Sequence, residues 1–174
     1  MKAPTFWRTV TADEVDLLGQ LIELFDSHGI QYCVIGGQAV NAYADPLVSL
    51  DLDVVVAADD LGRSAHILSE RFEVKRFPHS LNISSPNSDL RVQIQLDPRY
   101  AEFPRRAVMA KVLGVGLPVA ALEDVLQGKI WAALDTSRRP SNRQKDLADI
   151  ARLIEAHPKL RDRVPPEIIA KLVM

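Results

Sequence analysis

Two aspartates one residue apart, Asp51 and Asp53, head the apolar run Asp51-Leu-Asp53-Val-Val-Val. In a strand, residues two apart project from the same face, so this spacing predicts two carboxylates about 6–7 Å apart along the backbone. Like charges so placed repel, and the pair is tolerated when a divalent cation or other positive charge sits between them. Thirteen residues separate Asp51 from Gly36-Gly37, which closes the apolar run Tyr32-Cys-Val-Ile. A double glycine between a strand and a helix leaves backbone amides uncovered by any Cβ, which suits phosphate oxygens approaching a helix N-terminus. The two features together predict a place where metal and phosphate converge.

The elements around them follow from periodicity. Thr11-Ala-Asp-Glu14 reads as a capping box ahead of Val15, Leu18, Leu21, Ile22 and Phe25 at helical spacing, so a helix is expected from about Ala12 to His28, ended by Gly29. Ile30 to Ile35 reads as a strand, Gln38 to Ala44 as a short helix stopped at Asp45-Pro46, and Leu50 to Ala57 as the strand that carries the aspartates. A helix with Leu61, Ala65, Leu68 and Phe72 on one face follows Asp59-Asp60. One or two short strands are expected between Glu73 and Ser88, with turns at Pro78 and Pro86. Leu90 to Leu96 alternates, with Val92, Ile94 and Leu96 on one face and Arg91, Gln93 and Gln95, then Asp97, on the other. From Leu122 the pattern is helical: Leu122 to Leu134, a basic loop at Arg138-Arg139-Pro140, Asn142 to Ala156, and a last segment after Pro165-Pro166. Strands in the middle and helices at the ends predict an α+β fold.

Composition narrows the class. With 174 residues the chain is the size of one domain with a helical extension, and its formal charge of -2 supplies no overall positive field for nucleic acid or an anionic membrane. The single cysteine, Cys33, rules out an internal disulfide, four scattered histidines offer no zinc cluster, and a cytoplasmic location is the default. The longest uncharged apolar stretch, Gly114 to Leu122, is far short of the roughly 20 residues that cross a bilayer.

In its Gly-Gly turn and its Asp-x-Asp strand the sequence resembles the DNA polymerase beta-like nucleotidyltransferases. The downstream run Leu122-Glu-Asp-Val-Leu-Gln-Gly-Lys129-Ile-Trp-Ala, then Arg138-Arg139, then Lys145-Asp146-Leu-Ala-Asp149-Ile, is similar to the helical motif of AbiEii-type members. The resemblance implies a mixed sheet flanked by helices, with a nucleotidyltransferase core over 1–119 and a C-terminal helical part over 120–174 packed on it. It implies metal-dependent transfer of an NMP from an NTP to an acceptor hydroxyl. Asp51 and Asp53 would hold Mg²⁺ or Mn²⁺, with Gly36, Gly37, Ser49, Lys129, Lys145 and Asp146 around the nucleotide. Toxins of type IV toxin–antitoxin systems belong to this family, which makes a cognate antitoxin an implied partner and an RNA, tRNA end or protein the implied acceptor.

Two departures stand out. The superfamily usually supplies a third carboxylate from a neighbouring strand, where this chain has Gln93 and Gln95, leaving Asp97 as the candidate substitute for catalysis. The segment before Asp51 has Ser49 where the family often has threonine. A fold that binds nucleotide or a partner with little turnover is therefore the alternative. A dinucleotide-binding turn is excluded because Gln38, Ala39 and Val40 follow Gly37. A dehalogenase-like Asp-x-Asp is excluded because there the aspartates end an apolar strand rather than begin one. Plainer readings remain for single residues: Lys145 and Asp149, four apart, could be an exposed helix pair, and Lys129 could be a snorkelling lysine at the edge of an apolar face.

Overall fold

The structure is a computed structural model that describes residues 16–173. The capping box at Thr11 to Glu14 lies outside the described residues. Helix α1 (Leu17–Ser27) buries Leu17, Leu18, Leu21, Leu24 and Phe25, and its Phe25 ring lies 4.8 Å from Tyr32, which seats the helix on one face of the sheet. Strand β1 (Tyr32–Ile35) is buried along its whole length. Helix α2 (Gly36–Tyr43) begins at the first glycine, two residues before the start expected from sequence.

Next come β2 (Asp51–Val56), α3 (Leu61–Ser69), and the expected pair β3 (Glu73–Phe77) and β4 (Ser80–Ser84), which turns at Pro78-His79. Strand β5 (Arg91–Gln95) matches the alternating segment. The hairpin of β6 (Val108–Val112) and β7 (Val115–Val119) is not anticipated by sequence. Its two-residue turn places Leu113 and Gly114 at φ 56° and 81°, and a leucine there gives no turn signal. Pro118, inside β7, also argues against a strand when only the sequence is read. The chain closes with α4 (Leu122–Leu134), α5 (Pro140–Ala156) and the short α6 (Pro166–Ile169).

The seven strands of the described residues form one mixed sheet in the order β3-β4-β5-β2-β1-β7-β6. Strand β2 runs antiparallel to β1 and parallel to β5, and β1 runs parallel to β7. The fold is α+β, as a strand-rich middle with helices at the ends predicts. Leu52 and Val54 of β2, Val92 and Ile94 of β5, and Leu81 and Ile83 of β4 are buried on one face. The other face carries Asp51, Asp53, Arg91, Gln93 and Gln95 at the head of the central strands, and α4 and α5 stand over it. The buried stripe Leu147, Ile150, Leu153 and Ile154 of α5 fixes which side of that helix is left for the site.

Candidate active site

The site begins with a backbone requirement. Gly36 adopts φ +67°, and a Cβ built on it would overlap the Asp53 carboxylate. Register explains the proximity, since Ile35 is the antiparallel partner of Asp53 and the chain turns into α2 at the next residue. Gly36 therefore does two things: it takes a left-handed conformation and it lets a carboxylate lie against its Cα. Gly37 has nothing within 4 Å of a Cβ position, so its missing side chain faces open space.

Two amide side chains on α2 hold the segment leading to the aspartates. Gln38 Nε2 donates to the Ser49 carbonyl at 3.0 Å. Asn41 brackets Leu47, donating to its carbonyl at 2.7 Å and accepting from its N–H at 2.9 Å. Ser49 Oγ accepts from the Asp51 N–H at 3.2 Å, so this hydroxyl also orders the start of β2. Leu47 and Val48, 60% and 77% exposed, are held out beside the cleft by these bonds.

Asp51 and Asp53 share a face, as their spacing predicts, but their surroundings differ. Asp51 is exposed, and its Oδ1 lies 2.7 Å from Arg91 Nε, directly across the parallel β2–β5 ladder. Asp53 is tucked in, and among the described residues nothing hydrogen-bonds its carboxylate. Burial pushes its pKa from 3.8 up to about 6. The Lys129 charge pulls against this, and the Asp51 charge adds to it. A desolvated carboxylate without a donor, next to a second carboxylate, is a costly arrangement that a cation would relieve.

The helices supply the opposite wall. Val125, Gly128, Lys129 and Ala132 recur at helical spacing on α4, and Asn142, Lys145, Asp146, Asp149 and Arg152 do so on α5. All of them line one cleft of about 560 Å³ with the sheet residues, a volume suited to a nucleotide-sized ligand. Lys129 is not a snorkelling lysine. Its Nζ lies 3.0 Å from Asp146 Oδ1 and 2.7 Å from Asp149 Oδ2, with the side chain 12% exposed. Burial pulls its pKa down, but the Asp149 and Asp146 charges outweigh that and hold it above the usual value. Asp149 then turns its other oxygen to Arg152 Nη1 at 2.7 Å, and among the described residues the plainer alternative, an exposed Lys145–Asp149 pair, does not form. Arg152 Nη2 reaches across to Asn41 Oδ1 at 2.8 Å and to the Asp45 carbonyl, tying α5 to the loop before β2. Asp146 Oδ2 stands 3.1 Å from Arg138 Nη2, at ion-pair distance without hydrogen-bond alignment.

Of the residues expected from sequence, Gly36, Gly37, Ser49, Asp51, Asp53, Lys129, Lys145 and Asp146 all line this cleft. Asp97 does not. Its carboxylate caps the 3-10 turn Pro98–Tyr100 through the Arg99 N–H at 2.9 Å and is gripped by the Arg99 guanidinium at 2.7 and 2.9 Å, which holds its pKa below the usual value. As a substitute third carboxylate it is misplaced, because β5 ends at Gln95 and Asp97 has left the ladder. The position in register with Asp53 is Gln93. Sequence alone singles out neither Asn41, nor the pairing of Arg91 with Asp51, nor Arg152. Asn41 carries a faint signal, a second amide three residues after Gln38 on the same helix face, whereas the other two depend on which elements become neighbours.

The donor set fits a divalent cation that brings its own oxygens. Among the described residues no group of three or more His, Cys, Asp or Glu could hold a metal ion, yet two carboxylates on one strand face, one of them short of a partner, are enough for Mg²⁺ when phosphate oxygens and waters complete the shell. Among the described residues no helix is long and apolar enough to cross a membrane.

Comparison with known proteins bears on the fold. The antibiotic-resistance factor ANT(2'')-Ia, in its solution structure, is 14% identical with a TM-score of 0.56, covering 86% of this chain and 92% of that one. The lincosamide antibiotic adenylyltransferase LnuA, solved with lincomycin bound, is 13% identical with a TM-score of 0.50, covering 78% and 95%. A putative nucleotidyltransferase from Thermotoga maritima is 13% identical with a TM-score of 0.50, covering 68% and 84%. At such identities the likeness establishes the nucleotidyltransferase fold. No curated protein sequence matches. The family model described as "Nucleotidyl transferase AbiEii toxin, Type IV TA system" matches residues 36–172, from the first glycine of the turn to the last helix, and the chain belongs to that AbiEii nucleotidyltransferase family.

Proposed function

We propose that this protein moves an NMP from an NTP to an acceptor hydroxyl, with Mg²⁺ or Mn²⁺ held by Asp51 and Asp53. The observation that carries this reading is the Asp53 carboxylate, partly buried and without a hydrogen-bond donor among the described residues, set against the Cα of Gly36 in a cleft lined by lysine and arginine. In the transfer, the acceptor oxygen forms a bond to the α-phosphorus, the bond to the bridging oxygen breaks, and pyrophosphate leaves with that electron pair. When bound, the divalent ion neutralises charge on the attacking and leaving oxygens.

The chain's own residues do the positioning. Gly37 and the first amides of α2 offer donors to phosphate at an uncovered helix start. Lys129 is already neutralised by two aspartates, so its contribution is to hold Asp146 and Asp149 in place and set the local field at Asp53. Lys145, which has no ion pair among the described residues, and Arg138, 40% exposed, carry the positive charge left for the triphosphate. With Gln93 beside Asp53, no third carboxylate of the sheet lines the cleft to take the hydroxyl proton, which passes to water. The acceptor is an RNA or tRNA end or a protein hydroxyl in the cytoplasm, with activity restrained by a cognate antitoxin.

Incubation with each radiolabelled NTP, Mg²⁺ and candidate RNAs or proteins tests the reading. Transfer by the wild type that is lost in Asp51→Ala and Asp53→Ala is expected; no transfer, or equal transfer by the variants, refutes it. A second reading, nucleotide binding with little turnover, draws on Gln93 at the register position of Asp53 and on Asp97 held outside the cleft by Arg99. Calorimetry with NTP and Mg²⁺ that finds tight binding without product favours that reading.

A further inference from the structure

The strand beside the aspartates sets how many cations the site can hold. Asp51 faces Arg91 and Asp53 faces Gln93 across the parallel β2–β5 ladder, so the neighbouring strand presents a cation and a neutral amide to the two carboxylates. Gln95, the next residue on that face, has its Oε1 taken by the Leu96 and Asp97 N–H groups, each at 3.0 Å. The other acidic side chains of the cleft are already matched: Asp146 to Lys129, Asp149 to Lys129 and Arg152, and Asp124 to Arg106 in a two-bond pair at 2.9 Å. Among the described residues two negative groups of the cleft are left, and one of them already has a guanidinium 2.7 Å away.

We propose that the loaded site holds a single divalent cation, the one that travels with the triphosphate, and that the Arg91 guanidinium serves Asp51 as the counter-charge a second ion would otherwise provide. This rests on the nucleotidyltransferase reading and specifies its metal requirement. Two divalent ions held side by side need carboxylate oxygens shared between them to offset their repulsion; here a third carboxylate is replaced by the Gln93 amide, which has a carbonyl oxygen as ligand and no charge. The Arg91 Nε lies 2.7 Å from Asp51 Oδ1, so a guanidinium already stands beside that carboxylate. Without nucleotide, a metal ion must compete with that guanidinium for Asp51. Both partners are largely exposed, so the competition is modest, of the size of a surface pair.

The test counts ions and nucleotides separately. The protein is dialysed to equilibrium against excess Mn²⁺ and α,β-methylene analogues of ATP, GTP, CTP and UTP in turn, and retained Mn²⁺ and retained nucleotide are each measured per chain. The wild type should retain one Mn²⁺ per nucleotide, and Gln93→Asp, which restores a carboxylate in register with Asp53, should retain two. In Mn²⁺ titrations without nucleotide, followed by the electron paramagnetic resonance signal of the free ion, Arg91→Gln should bind more tightly than wild type by up to roughly fivefold. Two ions per nucleotide in the wild type, one in Gln93→Asp, or unchanged affinity in Arg91→Gln would each overturn the proposal. Retention of no nucleotide at all would instead sink the nucleotidyltransferase reading, and this proposal with it.

Discussion

Replacing Gly36 by alanine, with Gly37→Ala beside it, probes the contact on which the site is built. Gly36 sits at φ +67°, and a residue with a Cβ pays roughly 1–2 kcal/mol there. That Cβ would also overlap Asp53 Oδ2, so the carboxylate must leave its rotamer, at a further cost of about 0.5–1.5 kcal/mol. The smaller conformational freedom of alanine in the unfolded chain returns about 0.4–1 kcal/mol. A net loss of about 0.5–3 kcal/mol remains, and at about 2–4 °C per kcal/mol for a chain of this size Tm should fall by roughly 1–12 °C. Gly37 has no positive φ and no neighbour within 4 Å, so alanine in that helical turn should stabilise by about 0.5–1 kcal/mol. Thermal denaturation followed by circular dichroism, in the presence of EDTA to remove any bound metal, compares the two variants directly. If Gly36→Ala melts at or above the temperature of Gly37→Ala, Asp53 does not lie against Gly36 and the geometry of the site is wrong.

Other perturbations reach the remaining parts of the site. Because the Asp53 pKa is raised in the folded state, the folded protein binds that proton more tightly than the unfolded chain; the associated stability is fully present below about 3.8 and is lost as pH rises through about 6. Asp53→Asn should therefore stabilise the metal-free protein by up to about 3 kcal/mol at pH 8 and hardly at all near pH 4, as read by urea denaturation at both values; equal gains at the two would contradict the assigned burial. Lys129→Met removes the cation shared by Asp146 and Asp149 and should cost about 3–5 kcal/mol, so a Tm within a degree of wild type would show that the buried pair is not formed. Arg152→Ala cuts the link from Asp149 to Asn41 and the Asp45 carbonyl, and hydrogen exchange should accelerate at residues 45–50 with the sheet amides unaffected.

Local chemistry made much of this molecule readable in its sequence. Alternation along Arg91 to Gln95, the apolar runs at Tyr32 to Ile35 and Asp51 to Val56, and the 3.6-residue stripes of the C-terminal helices are properties of short segments, and those elements form where periodicity puts them. The hairpin Val108 to Val119 escaped because its turn uses a leucine at positive φ and its inner strand contains a proline, both against local preference. That preference is overridden when β7 pairs with the buried strand β1. Spacing alone likewise put Asp51 and Asp53 on one face, whereas the antiparallel register of β1 and β2 brought the double glycine to them.

What the sequence determined by itself was the set of groups: two aspartates at strand spacing, a glycine able to take a left-handed turn, and a helical run of lysine and aspartate at the C-terminal end. What only the tertiary structure decided was their partners. Lys129 could have faced solvent or phosphate, and packing of α4 against α5 gave it Asp146 and Asp149 instead. Asp97 could have replaced the missing carboxylate, and the end of β5 at Gln95 turned it to Arg99. Arg91 met Asp51, and Arg152 met Asn41, across 40 and 111 positions of sequence. Ionic and hydrogen-bonded pairs depend on distances of about 3 Å between atoms, and no local periodicity fixes such distances between segments that only the completed fold brings together.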